Sequence, residues 1–135
     1  MSDQALSARA EGTDLRLAAI LAYALYLAAL LNGITALVGV VVAYVKRADA
    51  RGTIYESHFS NLIAVFWVSI ILFALVCAGV LWGALNAAYA VPDGDPIRLI
   101  MVAPFALVGF AGILVWYLYR TVRGLIRAID GEAYR

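Results

Sequence analysis

The stretch LAAILAYALYLAALLNGITALVGVVVAYV, residues 17–45, carries no charged side chain, and the dipeptide at its centre decides how the chain folds. Read as one helix, its 29 residues would reach about 43 Å, well past the ~30 Å hydrocarbon core of a bilayer. Asn32-Gly33 is a turn dipeptide, and Gly39 loosens the second half further. The reading is therefore a hairpin: one helix from about Thr13, whose hydroxyl would cap it, to Leu31, and a second from Ile34 to about Ala50. The second limb has only twelve uncharged residues, Ile34 to Val45, or about 18 Å, so Lys46 and Arg47 must snorkel to the surface. The alternative is a single long first helix, which leaves three crossings instead of four.

Working outward, Leu62–Val91 and Leu99–Tyr119 are further uncharged runs of 30 and 21 residues, each long enough to cross a bilayer as a helix. Of the 135 residues, 65% are hydrophobic and 14% charged, where a soluble domain has roughly 45–50% and ~25%. This excludes an ordinary soluble globule and a disordered chain. Ten Lys and Arg against nine Asp and Glu, net +1, exclude a basic nucleic-acid binder. Backbone groups in hydrocarbon have no water to bond, so the runs must be helical. The expected fold is all-α, a small membrane bundle of four transmembrane helices followed by a C-terminal amphipathic interfacial helix.

The domain reading is a flexible tail over 1–12, a bundle over 13–119 with a connection at 46–61 and a loop at 92–98, and an amphipathic tail over 120–135. The tail lacks the features of a signal peptide. Lys46, Arg47 and Arg51 lie in the first connection and Arg120, Arg123 and Arg127 in the tail, so by the positive-inside rule both are cytoplasmic, with the C-terminus, and the Pro92–Pro96 turn is outside. Tyr44, Tyr89, Trp116, Tyr117 and Tyr119 sit where aromatic belts form. Pro104, early in the last helix, is a candidate kink.

Few residues point to chemistry. His58 is the only histidine, with Glu56 and Asn61 beside it; Asn61 shares its helical face and Glu56 does not. A metal site needs more ligands than these, and nucleophilic catalysis needs a positioned Ser or Cys, so His58 reads as an interfacial hydrogen-bonding group. The lone Cys77 is about four turns along the next helix. No cofactor, metal or catalytic set is expected. Gly79 and Gly83 form a small-xxx-small pair that lets helices approach closely, and Asn86, one turn on, could bond across that contact. Arg120, Arg123 and Arg127 recur at helical spacing with Val122, Leu125, Ile126 and Ile129 opposite; with Lys46, Arg47 and Arg51 they read as a face for lipid headgroups or a docking partner.

At YVKRADARGTIYESHF (Tyr44–Phe59) and WYLYRTVRGLIRAIDGEAY (Trp116–Tyr134) the chain resembles a family of small, uncharacterised bacterial inner-membrane proteins, distantly similar to the Tic-twenty component of the chloroplast inner-envelope translocon. The resemblance implies a four-helix bundle in a bacterial inner membrane and no established activity. The expected function is a non-enzymatic structural or interaction subunit, associating with itself as a homo-oligomer or with a larger membrane complex. The alternative is an oligomeric conduit or translocation component of the Tic-twenty-like type.

Overall fold

The computed structural model describes residues 3–89 and 96–134, with side chains from Ile100 onward in the second stretch. Four helices follow in order: α1 (Asp3–Asn32), α2 (Thr35–Asp49), α3 (Ile54–Tyr89) and α4 (Pro96–Asp130), with no strand among the described residues. Three of them, α1, α3 and the Ile100–Asp130 part of α4, are long and apolar enough to cross a membrane. The 15 residues of α2 span only about 22 Å.

The chain reverses at Asn32-Gly33, as its turn chemistry predicts. Gly33 has a φ of 70°, a left-handed conformation that a Cβ disfavours. Asn32 Oδ1 accepts from the Thr35 N–H at 3.2 Å, satisfying one of the donors exposed at the start of α2. Close approach of the two limbs depends on Gly39: a Cβ there would lie 2.7 Å from the Tyr26 ring and 3.2 Å from the Ala22 carbonyl.

Three expected boundaries differ. Residues 3–12, expected as a flexible tail, are the first turns of α1; Ala, Leu, Gln and Arg are strong helix formers, and Asp3 complements the dipole. Thr13 is consequently inside the helix, its hydroxyl bonded to the Arg9 carbonyl at 2.9 Å and not capping. Helix α3 begins at Ile54, ahead of Leu62. Thr53 Oγ1 accepts from the Tyr55 N–H at 3.2 Å, and the Glu56 carboxylate accepts from the Gly52 N–H at 3.0 Å, so both side chains satisfy backbone donors where the helix starts. Finally, 120–130 is no separate helix but the unbroken continuation of α4, and Pro104 lies inside that same helix. Residues 92–95 of the predicted Pro92–Pro96 turn lie outside the described residues.

The chain divides into two compact units. The first comprises residues 1–66 and 118–135 and holds the α1–α2 hairpin, the first turns of α3 and the last turns of α4. Its buried residues include Ala19, Ala22, Tyr23, Tyr26, Phe59, Leu62 and Ala128. The second, residues 67–117, contains the rest of α3 and α4. In it Val76 seats against Gly109, where a Cβ would fall 3.0 Å away, and Phe73 meets Phe110 at 5.4 Å between ring centroids. Its large side chains point outward, among them Trp67, Phe73, Trp82 and Phe105.

Candidate functional site

The polar side chains with structural consequence gather in the first unit around His58. Two helical turns past its cap, α3 presents His58, Asn61 and Leu62 on one buried face. Opposite them, α1 inserts Tyr23 and Tyr26, both fully buried. Tyr26 donates to the Leu62 carbonyl at 2.8 Å. Tyr23 reaches further, its hydroxyl 3.3 Å from His58 Nδ1 and 3.0 Å from Asn61 Nδ2, its ring edge-on to the imidazole at 5.9 Å.

Helix α4 makes room for this phenol. Thr121, Gly124 and Ala128, spaced three and four apart, form its buried stripe, and a Cβ on Gly124 would fall 2.3–2.4 Å from Cζ, Cε1 and Oη of Tyr23. From the next position on α4, Arg120 donates through Nε and Nη2 to Asn61 Oδ1 at 3.0 and 2.6 Å.

After α4, Gly131 turns left-handed at φ 72° and Glu132 N–H bonds the Arg127 carbonyl at 2.9 Å, the six-to-one bond that closes a glycine-terminated helix. The chain then crosses over His58. Glu132 C=O lies 2.7 Å from His58 Nε2, Arg127 Nη1 donates to Ala133 C=O at 3.2 Å, and Tyr134 N–H donates to Ser57 Oγ at 2.9 Å. The Tyr134 ring lies 6.2 Å from the imidazole and 5.5 Å from the Arg120 guanidinium. Arg16 of α1 also donates to the Ile129 carbonyl.

Donors and acceptors assign the protons. A carbonyl faces Nε2, so that nitrogen carries the hydrogen, and in the neutral ring Nδ1 accepts from Tyr23. The bonds then run in one direction, from Arg120 to Asn61, Tyr23, His58 and the Glu132 carbonyl. Each bond polarises the next in a low-dielectric interior. His58 is 0% exposed and has a partner at each ring nitrogen. Ser57 is engaged as well, donating to the Ile54 carbonyl at 2.7 Å. One polar atom stands apart: among the described residues, Thr121 Oγ1 is buried with no hydrogen-bond partner.

The other predicted residues are dispersed. Glu56 caps α3 and stays away from His58. Gly83 packs on Val102, a Cβ there lying 3.3 Å from Cγ2, while Gly79 has nothing within 4 Å. Asn86 bonds the Trp82 carbonyl of its own helix at 2.8 Å, with no bond across a helix contact among the described residues. Gly79 and Gly83 border an apolar groove of about 450 Å³ with Trp82, Met101 and Phe105. Arg123 donates to the Tyr119 hydroxyl at 2.8 Å. Of the residues expected to form the apolar face, Val122, Ile126 and Ile129 are exposed and Leu125 is half-buried, while Arg120, Arg123 and Arg127 are half-buried. The inward stripe is a third set of small residues, which admits Tyr23. Lys46 pairs with Asp49 at 3.5 Å on the surface, a contact worth at most about 1 kcal/mol. Among the described residues no cluster of His, Cys, Asp and Glu is arranged to hold a metal ion. No protein family, curated protein or solved structure matches the chain.

Proposed function

We propose that this chain is a non-enzymatic structural or interaction subunit of a bacterial inner membrane, associating through helix packing with copies of itself or a larger membrane complex. The observation carrying the reading is the state of His58: fully buried, bonded at both nitrogens within the chain, and used to join α1, α3 and the segment after α4. A general base needs access to a substrate proton; this ring has a structural task instead. The exposed apolar side chains of the second unit supply surface for lipid tails or neighbouring helices.

The topology follows from charge. Nine of the ten Lys and Arg fall in the first unit and only Arg98 in the second, which favours both ends of the chain and the connection between α2 and α3 on the cytoplasmic side, with four helices entering the membrane. Lys46, Arg47 and Arg51, with the arginines of α4, then lie at the depth of anionic headgroups. Purification from the native membrane in mild detergent, with identification of co-purifying chains, tests the reading. The expected result is a stable assembly with defined partners or copy number; recovery as a lone monomer refutes it. A symmetric homo-oligomer enclosing a pathway would favour the Tic-twenty-like conduit.

A further inference from the structure

The segment over His58 is held chiefly by its backbone. Two successive carbonyls, of Glu132 and Ala133, and the N–H of Tyr134 are each bonded to a side chain of the bundle. Tyr134 adds a side-chain contact, its ring set between the His58 imidazole and the Arg120 guanidinium. Residues 132–134 are not helical, because Gly131 redirects the chain. Backbone bonds for affinity and one pocket for a side chain are how protein surfaces read short extended peptides.

We propose that the recess formed by Ser57, His58, Arg120 and Arg127 is a peptide-binding site, held shut by the chain's own Glu132-Ala133-Tyr134 and able to take from a partner chain an extended segment with an aromatic side chain at its third position. This rests on the reading of the chain as an interaction subunit and supplies the chemistry of one of its contacts. Backbone recognition leaves the first two positions open to many residues, while the cation–π and edge contacts select the third. The resident segment has the advantage of being tethered, an effective concentration of about millimolar, so an incoming segment must be in excess or the resident one weakened.

His58 is the only histidine, which makes the site its own reporter. The full-length protein in detergent is treated with diethyl pyrocarbonate, and acylation of His58 is followed by mass spectrometry. The wild type is expected to react slowly and Tyr134→Ala about tenfold faster, since loss of one contact raises the open population by roughly that factor. Tyr134→Phe keeps the ring and should stay at the wild-type rate. Millimolar peptide Gly-Glu-Ala-Tyr-Arg, the sequence of residues 131–135, should return Tyr134→Ala to slow reaction, and the peptide with Ala for Tyr should not. The proposal is overturned if Tyr134→Ala reacts no faster than wild type, if the peptide gives no protection, or if the Ala peptide protects equally. Absence of protection alongside co-purified partners would refute the site alone; protection in a chain that purifies without partners would refute the subunit reading alone.

Discussion

Gly124 is the position where the packing around His58 is most exposed to a single methyl group. A Cβ added there would stand 2.3–2.4 Å from three atoms of the Tyr23 phenol, whereas carbon contacts are optimal at about 3.5–4.0 Å. The ring must therefore retreat by more than about 1 Å, and its backward path is closed because Tyr23 is fully buried. Overpacking of this kind costs about 1–3 kcal/mol. Displacing the hydroxyl also stretches its bonds to His58 and Asn61, now 3.3 and 3.0 Å, at about 1 kcal/mol each. Replacing a helical Gly by Ala returns about 1 kcal/mol, so Gly124→Ala should destabilise by a net of about 2–4 kcal/mol.

Reversible unfolding in mixed micelles, with helicity as the readout, measures this loss. The origin is isolated by a double-mutant cycle with Tyr23→Ala, which removes the obstructing ring. In the Tyr23→Ala background, Gly124→Ala should be neutral or stabilising. Equal cost in both backgrounds, or no cost in the wild type, would refute the claim that Gly124 exists to admit Tyr23.

Two glycines of the same composition should behave oppositely. Gly39→Ala, whose Cβ would meet the Tyr26 ring at 2.7 Å, should destabilise the α1–α2 hairpin by about 1–3 kcal/mol, whereas Gly79→Ala, with nothing within 4 Å, should be neutral or slightly stabilising in the same unfolding assay. Thr121→Val replaces a buried hydroxyl that has no partner among the described residues by a methyl of the same shape, and should raise stability by about 1 kcal/mol, seen as a higher melting temperature.

The helices were legible because hydrocarbon leaves few options. Uncharged runs located α1, α3 and α4, and Asn32-Gly33 located the reversal into α2. The start of α3 was also readable, since Thr53 and Glu56 stand in capping register, but the polarity of residues 53–61 suggested a surface connection. His58 stood out as the lone histidine, and Asn61 for its spacing from it. Tyr23 did not, being one of eight tyrosines and lying 35 residues from His58; local periodicity carries no record of such a pairing. Arg120 and Asn61 are 59 residues apart, beyond any spacing rule. At the α4 terminus the buried stripe of Thr121, Gly124 and Ala128 left no mark in a pattern read from charge and hydropathy. In a membrane, small residues such as Gly124 and Ala128 mark the packed side.

The sequence distances within the His58 network set an order of events during synthesis. The α1–α2 hairpin pairs neighbours in the chain, and its closure entropy is correspondingly small. His58 meets Tyr23 across 35 residues but waits for Glu132 across 74, and at about 5–20 residues per second translation needs several seconds to supply that carbonyl. Throughout that interval the imidazole Nε2–H lacks the carbonyl that it bonds in the finished fold. A nascent chain thus passes through a stage with its hairpin made and its polar centre unsealed, when an insertion factor or neighbouring subunit has access to groups the finished protein encloses.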